Sequence, residues 1–574
     1  MNKAIAYLAI VLLVLLSGSR TSPAQGAQAA ADPEGGLVSI EVHAGKPAGA
    51  YKPIWNFFGT DEPNYLYAPN GQKLLAELAA LSPVPVYFRA HNLFTTGNGE
   101  GSLKWGSTNV YTESPDGTPV YDFTIIDRIF DALTQARVRP LVEIGFMPQA
   151  LSMHPEPYRH TFPKGDIFTG WTYPPKNESK WSKLVETYTA HLRDRYGAQT
   201  STWLWEVWNE PDIGYWHGTP AEYDRLYDLT AAAIRKVLPQ ARVGGPEVTG
   251  VSARSEVFLR QFLEHCAHGV NAATGATGAP LNFISFHPKG SPKFVDGHVV
   301  MSIGAQLRAA EHGMAVVASY PEWKNTPIIL GESDPEGCAA CQGSQNGYRN
   351  GPLYGASVAE ATMRIYELAS KYGVTMEGAV TWAFEFEDQP AFAGFRELAT
   401  NGIDKPVLNV FSMFGMLGAG NPNAVWLTTK SSAAIPLDDI VAHSVTAAPE
   451  VNAVATLSST KPGKQEVDAL LWNYHDADVP ATPAEVRLTV DGLKGRGIVA
   501  SEFRMDATHS NTYRAWHQMG SPARPTAEQV AQLQKAGALA QTVTDRRIAV
   551  REGKSSIDLT LPRQAVVLIR LLEP

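Results

Sequence analysis

The sequence predicts an α/β protein: a (β/α)8 TIM barrel with an accessory antiparallel β-sandwich domain. Two observations carry this prediction. Over residues 51–420, short runs rich in Val, Ile, Phe and Trp alternate with longer segments whose apolar residues recur at helical spacing. Over residues 421–574, short alternating runs are separated by Gly, Pro and Asp, a pattern typical of antiparallel strands.

Eight strand-like runs lie within the predicted barrel. Several are almost continuously apolar, as expected of parallel strands with helices on one side and a packed interior on the other. Eight βα units in succession imply a closed barrel. The predicted strands are Ile54 to Gly59, Val84 to Arg89, Pro140 to Phe146, Trp203 to Trp208, Arg242 to Gly245, Asn282 to His287, Pro327 to Gly331 and Gly378 to Phe384.

Two of the intervening helices have clear boundary signals. Residues 221–238 place apolar side chains on one face, and Thr219 and Pro220 precede them as a cap and a first-turn proline. Residues 183–196 are followed by Gly197, a common helix stop. Both helices are predicted to cover the outside of the barrel.

The two ends of the sequence carry separate predictions. Residues 1–31 are predicted to be a cleavable secretory signal, because Lys3 precedes an apolar run over residues 4–16 and small residues follow. The mature protein is then expected to be secreted or periplasmic, with no membrane association. Residues 32–50 form an N-terminal arm that alternates over residues 37–43, so we expect it to add a strand to the sandwich.

The composition argues against two classes of partner. A net charge of -9 and a pI near 5.9 offer no basic surface to attract nucleic acid or an anionic membrane. The 13 tryptophans provide flat indole faces that suit sugar rings as well as protein cores. An oligosaccharide or glycoside is therefore the expected partner, and the oligomeric state is left open.

The chain has 3 cysteines, too few for a disulfide scaffold and wrong in number and spacing for a four-ligand zinc site. Cys338 and Cys341 lie in the loop after Glu332. In an oxidising compartment they would close a short disulfide, and otherwise they are two loop thiols. The sequence leaves both alternatives open.

Two acids that end apolar runs are the candidate catalytic pair. Asn209 and then Glu210 follow the run over residues 203–208, and Glu332 follows the run over residues 327–331. Because active sites of such barrels lie at the carboxyl ends of the strands, the two acids are expected to share one cleft. Two facing carboxyl groups perform glycoside hydrolysis: one protonates the leaving oxygen, and the other attacks the anomeric carbon or activates water.

Several segments of the chain match the motifs of one known family. They are Trp208-Asn209-Glu210-Pro211-Asp212, Gly331-Glu332-Ser333-Asp334, and residues 142–148, 243–246, 283–287 and 511–516. These segments resemble glycoside hydrolase family 39, which contains β-xylosidases and α-L-iduronidases. The resemblance implies a retaining, exo-acting enzyme with Glu210 as proton donor and acid/base, Glu332 as nucleophile, and no metal or organic cofactor.

The resemblance gives two different indications of substrate specificity. Residues 382–388 are similar to an eighth-strand motif of xylosidases, which implies that Trp382 stacks on the sugar and that Glu387 and Asp388 bind its hydroxyls. The segment from His287 to Gly290 instead resembles iduronidases, in which a lysine such as Lys289 pairs with the uronate carboxylate.

We favour a β-D-xylosidase that releases xylose from the non-reducing ends of xylo-oligosaccharides. The export signal and the loop over residues 331–349 look like those of bacterial enzymes described as β-xylosidases. The alternatives are an α-L-iduronidase-like or other retaining exo-glycosidase and, in another class, a non-catalytic carbohydrate-binding barrel.

The remaining predicted site residues surround this pair of acids. Asn209 is expected to hydrogen-bond the sugar 2-hydroxyl. Tyr348 either hydrogen-bonds Glu332 or is a loop aromatic. Arg89 and Glu143 are expected to form a structural ion pair or to support the residues that contact the substrate, rather than to contact it themselves. The full set of predicted substrate-binding residues is Asn209, His91, His287, Lys289, Tyr348, Trp382, Glu387 and Asp388.

Overall fold

The computed structural model describes residues 36–160, 167–250, 252–461 and 464–573, and the predicted signal segment lies outside them. Eight parallel strands close into a barrel in chain order. Each overlaps its predicted strand, so the TIM barrel is confirmed. The barrel strands, one to eight, are Phe57–Thr60, Tyr87–Ala90, Arg139–Ile144, Leu204–Val207, Arg242–Val248, Ile284–Phe286, Ile328–Leu330 and Met376–Thr381.

An α-helix follows each barrel strand. The helix predicted from residue 221 has the expected cap, because the Thr219 side chain accepts from the N–H of Glu222 and Glu222 bonds back. The helix predicted from residue 183 begins earlier, because Asn177 caps its first turn. The eight helices are Pro69–Ala80, Thr124–Gln135, Glu178–Tyr196, Pro220–Val237, Ala253–His268, Ile303–Ala318, Pro352–Tyr372 and Pro406–Met416.

The accessory domain is a mostly antiparallel sheet of nine strands. The strand Val38–Ala50 lies within it and pairs in parallel with Ala484–Asp491, so the sheet is not wholly antiparallel as predicted. The domain boundaries at residues 50 and 420 stay predictions. In spatial order the strands are Ala540–Ala549, Gly497–Met505, Val566–Leu572, Lys464–Tyr474, Glu450–Lys461, Val425–Ser431, Val38–Ala50, Ala484–Asp491 and Lys554–Leu561.

Shorter elements decorate both domains. The accessory domain carries the helices Leu437–His443, Thr512–Gln518 and Ala527–Gly537. Two-stranded ribbons pair Tyr111–Glu113 with Pro119–Tyr121, Tyr158–His160 with Ile167–Gly170, Lys293–Val295 with His298–Val300, and Ala399–Thr400 with Ile403–Asp404. The 3-10 helices are Pro63–Tyr67, Gln149–Leu151, Gly197–Thr202, Ser344–Asn350 and Leu417–Gly420.

The strand Lys464–Tyr474 joins the two domains because its side chains alternate between two cores. Leu470 and Trp472 pack with the barrel helices, whereas Ala469 and Leu471 pack inside the sandwich. The indole N–H of Trp472 donates to Glu360 of the helix that follows the seventh barrel strand. The accessory domain thereby supports the helix to which the loop after Glu332 connects.

Candidate active site

The fourth barrel strand presents Asn209 and Glu210 at its carboxyl end. Trp208 and Glu210 have left-handed backbone angles, with φ of 70° and 46°, which cost about 1–3 kcal/mol each in non-glycine residues. Two hydrogen bonds hold this turn: the indole N–H of Trp208 donates to the carbonyl of Tyr215 at 2.8 Å, and the N–H of Glu210 donates to the carbonyl of Glu247 at 2.9 Å. The turn thereby fixes the position of the Glu210 side chain at the barrel mouth.

The seventh barrel strand presents Glu332 in the same mouth. Gly331 precedes it, and a Cβ atom at that position would lie 1.8 Å from Oε2 of Glu247. Only glycine therefore fits between the strand and that carboxylate. Gly331 therefore lets the chain pass close to Glu247 just before Glu332.

Three cations surround the Glu332 carboxylate. Nζ of Lys289 lies 2.6 Å from Oε2, whereas Nη1 of Arg89 and Nδ1 of His287 lie 3.3 Å and 3.8 Å from Oε1. Burial alone would raise the pKa of Glu332, but the charges of Lys289, His287 and Arg89 outweigh it and lower the pKa to about 2. Glu332 is therefore ionised above about pH 3.

His287 bridges Glu210 and the buried Glu247. Its Nδ1 lies 2.9 Å from Oε1 of Glu210, and its Nε2 lies 2.6 Å from Oε2 of Glu247. Burial would lower the pKa of His287, but the charge of Glu332 and the hydrogen bonds to Glu210 and Glu247 raise it to about 9. At neutral pH both ring nitrogens therefore donate, and the imidazolium orients Glu210.

The separation of the two acids defines what the site can do. Glu210, His287 and Glu332 each offer one atom, and these three atoms lie within 4.8 Å of one another. Carboxylates and imidazole are also metal ligands, but a protonated imidazole has no lone pair to give, and the Lys289 ammonium occupies Glu332. The arrangement favours acid–base and nucleophilic chemistry at one carbon atom.

Arg89 organises the floor beneath these acids. Its guanidinium is fully buried and pairs with Glu143 at 2.8 Å, which confirms the predicted ion pair. The same group donates to Glu206 and, at 3.0 Å, to Oδ1 of Asn209. Because the amide oxygen of Asn209 already accepts from Arg89, its NH2 group is the part oriented to donate to a sugar hydroxyl.

A second buried network lies beside the first. His91 pairs with Asp61, and its Nδ1 lies 3.4 Å from Oε2 of Glu143. Burial lowers the pKa of His91, but the charges of Glu143 and Asp61 raise it to about 9. The indole N–H of Trp382 donates to Asp61 at 3.1 Å. His91 is thus an ion-paired histidine at the site, and its contact with substrate stays a prediction.

Trp382 is a buried residue of the barrel interior. The guanidinium carbon of Arg89 lies 4.8 Å from the centroid of its ring, and a Cβ on Gly59 would lie 2.3 Å from the same ring. Protein atoms therefore already cover much of the indole. Its predicted stacking on a sugar ring stays a prediction, with the indole N–H as its established polar contact.

Three predicted site residues do not join the cluster around Glu332. Tyr348 donates to Glu336 at 2.7 Å, so its hydroxyl hydrogen is not donated to Glu332, and its contact with substrate stays a prediction. Glu387 accepts from the backbone N–H groups of Asn70 and Gly71 at 3.0 Å and 3.2 Å. It thus stabilises the positive end of the first helix.

Asp388 is exposed at a left-handed turn with φ of 59°. Binding of sugar hydroxyls by Glu387 and Asp388 stays a prediction, and the helix cap made by Glu387 does not favour it.

The loop after Glu332 is held by a disulfide and one arginine. Cys338 and Cys341 are joined, which favours the first of the two sequence alternatives. Arg349 donates to Glu336 at 2.6 Å and to the carbonyls of Cys338 and Cys341 at 2.7 Å and 2.6 Å. The disulfide and these hydrogen bonds therefore hold the loop in place beside the site.

An aromatic wall that the sequence did not predict lies next to Glu210. Trp105 stacks on Phe146 with ring centroids 4.2 Å apart and meets Tyr215 edge-on at 5.0 Å. The charge of Glu210 contributes to raising the pKa of Tyr215 and of Tyr158, after burial. Trp105 lies in a loop and Tyr158 begins a short ribbon strand. Neither belongs to a periodic run, so the sequence carries no signal that places them at the mouth.

Two relatives of known name cover most of the chain. A β-xylosidase from Caldicellulosiruptor saccharolyticus is 27% identical over 480 residues, spanning 81% of this chain and 86% of the relative. An α-L-iduronidase from Mus musculus is 26% identical over 450 residues, spanning 73% of this chain and 63% of the relative.

Solved structures show the same fold. A monomeric β-xylosidase from Caulobacter crescentus CB15 has a TM-score of 0.70 at 22% identity and covers 93% of this chain and 99% of its own. A bacterial orthologue of human α-L-iduronidase has a TM-score of 0.72 at 19% identity and covers 94% and 84%.

Among the described residues, no helix combines the length and apolar character needed to cross a membrane. The family model for glycosyl hydrolases family 39 matches residues 99–549. This match spans both candidate acids and most of both domains. The chain therefore belongs to glycosyl hydrolases family 39 and is a glycoside hydrolase.

Proposed function

We propose that this hydrolase retains anomeric configuration and releases xylose from the non-reducing ends of xylo-oligosaccharides. One observation carries the stereochemical part: an oxygen of Glu210 and an oxygen of Glu332 lie within 4.8 Å of each other. Retaining enzymes have carboxyl groups about 5–5.5 Å apart, whereas inverting enzymes need about 6.5–9.5 Å to admit water. The short separation supports double displacement.

In the first step Glu332 attacks the anomeric carbon while Glu210 gives its proton to the leaving oxygen. The bond from C1 to the leaving oxygen breaks as the bond from C1 to Glu332 forms, and the aglycone departs as an alcohol. The low pKa of Glu332, about 2, keeps the nucleophile ionised despite its burial, because Lys289, His287 and Arg89 compensate the charge.

In the second step Glu210 acts as a base. It takes a proton from water, whose oxygen attacks C1 from the face that the aglycone left, and Glu332 departs as a carboxylate. Asn209 lies next to Glu210 in the chain and its amide is oriented by Arg89. A hydrogen bond from this amide to the 2-hydroxyl is expected to strengthen in both transition states.

The choice of xylose rests on the β-xylosidase relatives and on the state of Lys289. The Lys289 ammonium already lies 2.6 Å from Glu332 and 2.7 Å from Asp334. A xylose ring has no carboxylate to compete for this cation, so a xyloside leaves both ion pairs in place. The second candidate, an α-L-iduronidase-like activity, is favoured by the same lysine, since an ammonium at the nucleophile suits a uronate.

Substrate comparison separates these two candidates. Wild type is expected to hydrolyse an aryl β-xyloside faster than an aryl α-L-iduronide at equal concentration. Lys289→Ala is expected to preserve most xyloside turnover at neutral pH, and to abolish any uronide turnover, because only the uronate needs the ammonium. The surface variant Lys236→Ala is the matched control. Faster uronide than xyloside turnover by wild type would reject the xylosidase assignment.

Lys289→Ala is also expected to shift the pH dependence. Glu332 must be ionised to attack, so activity is lost as pH falls through its pKa, which is about 2 in wild type. Losing the nearest cation raises that pKa by about 1–3 units. The acidic limb of kcat/KM for the xyloside should therefore move to higher pH, measured from about pH 3 to about pH 8. Identical acidic limbs in Lys289→Ala and Lys236→Ala would contradict this account of Glu332.

A further inference from the structure

An ion pair outside the two catalytic acids lies at the same mouth. Asp61 follows the first barrel strand, and Lys104 lies in the long loop after the second. The Lys104 ammonium pairs with Oδ2 of Asp61. The other oxygen of Asp61 accepts from His91 and from the indole of Trp382. Both members of the pair are 5% exposed.

A chain of contacts links the pair to Glu332. The indole of Trp382, which donates to Asp61, lies 4.8 Å from the guanidinium carbon of Arg89, and Nη1 of Arg89 lies 3.3 Å from Oε1 of Glu332. After burial and the charges of its cationic neighbours, the charge of Asp61 also affects the pKa of Glu332, which it raises. Lys104 in turn interacts electrostatically with Glu332 as well as with Asp61. Tyr215, beside Glu210, interacts electrostatically with Asp61 and Glu332. Asp61 and Lys104 are therefore within electrostatic reach of the space between the catalytic acids.

The hydrogen-bonding capacity of the pair matches a diol. An ammonium has three N–H donors, and Asp61 accepts one of them. Oδ2 of Asp61 has a second lone pair, because its contacts with His91 and Trp382 use Oδ1. A donor beside an acceptor fits two neighbouring hydroxyl groups, each of which can donate and accept. The pair is neutral overall, which suits an uncharged sugar.

The other residues predicted to bind sugar hydroxyls have different contacts or positions. Glu387 accepts from the first turn of a helix, and Asp388 is exposed. Asn209 lies on the side of the cleft that carries Glu210 and is assigned to the 2-hydroxyl. The hydroxyls that remain on a xylose ring are those on C3 and C4, on the far side from the anomeric carbon.

We propose that Asp61 and Lys104 are the specificity-determining residues that bind the 3- and 4-hydroxyls of the sugar ring. This inference rests on the proposed xylosidase function and adds to it the residues that recognise the non-reducing sugar. It assigns hydroxyl binding to residues in the loops after the first and second barrel strands. The sequence predicted this role for Glu387 and Asp388, after the eighth strand.

Deoxy substrates test the proposal. Wild type should show kcat/KM for the 3-deoxy and 4-deoxy aryl β-xylosides about 10- to 100-fold below the parent, because each lacks a hydrogen bond to a charged group. Lys104→Met should lower kcat/KM for the parent and reduce the penalty for at least one of these two deoxy positions to about 3-fold or less. The penalty for the 2-deoxy substrate should stay as in wild type, since Asn209 is unchanged.

Lys405→Met is the matched control, because Lys405 is another buried lysine in an ion pair, at 3.2 Å from Glu397. Its 3-deoxy and 4-deoxy penalties should equal those of wild type. The proposal is overturned if Lys104→Met retains both full penalties. It is overturned without any variant if wild type hydrolyses the 3-deoxy and 4-deoxy substrates as well as the parent. No turnover of the parent xyloside by wild type would instead reject the proposed function, and this proposal with it.

Discussion

Replacing Glu332 with alanine is expected to lower kcat/KM for an aryl β-xyloside by at least about 10³-fold, because the covalent step loses its nucleophile. The structure gives the reason for so large an effect. Glu332 is the carboxylate held ionised by Lys289, His287 and Arg89, and Glu210 lies across from it. Release of the aryl group, followed by absorbance, measures the loss.

Azide distinguishes a lost nucleophile from a damaged fold. In Glu332→Ala the small anion can enter the space of the missing carboxylate and attack C1 directly, giving a glycosyl azide of inverted configuration. Asp334→Ala is the matched control, because Asp334 is a buried acid that contacts the same Lys289 at 2.7 Å. Azide should not rescue that variant. Rescue of Asp334→Ala but not of Glu332→Ala would assign the nucleophile to Asp334.

Replacing Glu210 with alanine is expected to produce a loss that depends on the leaving group. General acid catalysis contributes about 10²- to 10⁴-fold, and a xylo-oligosaccharide, whose leaving alcohol needs a proton, should show the whole of it. A dinitrophenyl xyloside leaves without protonation, so its first step should be nearly intact and the glycosyl-enzyme should accumulate. Pre-steady-state release of dinitrophenol would appear as a burst.

Azide again identifies the role, with the opposite stereochemistry. In Glu210→Ala, water has lost its general base, and azide attacks the glycosyl-enzyme in its place. The glycosyl azide therefore keeps the configuration of the substrate. Asp212→Ala is the matched control, because Asp212 lies two residues further on and accepts from the N–H of Thr249 at 2.9 Å. A uniform loss for all leaving groups in Glu210→Ala would contradict its role as the acid.

The barrel and the acid pair were predictable because both depend on local patterns. Eight apolar runs separated by helical segments specify parallel strands, and the carboxyl end of each strand meets the others at one mouth. Glu210 and Glu332 are each the first acid after such a run. The ion pair of Arg89 with Glu143 followed from the same rule, since both lie on adjacent barrel strands.

The residues that the sequence did not place are those whose positions depend on loops. Lys104 lies in a glycine-rich segment over residues 97–106, which has no period that would fix its direction. Tyr348 and Glu336 meet in a loop that Arg349 holds together by hydrogen bonds to Glu336 and to loop carbonyls. The helix cap made by Glu387 was not predicted, because its partners, the first N–H groups of the helix Pro69–Ala80, are remote in sequence.

A trapped intermediate tests the central claim, that Glu332 and Glu210 act from opposite faces on one anomeric carbon. Incubation with a 2-deoxy-2-fluoro aryl β-xyloside should inactivate the enzyme and attach one fluorosugar. Peptide mapping by mass spectrometry should find the label on Glu332 in wild type, and Glu332→Ala should take up none. A label on another carboxylate, or hydrolysis of an unmodified aryl xyloside with inversion and without a trapped intermediate, would contradict the account.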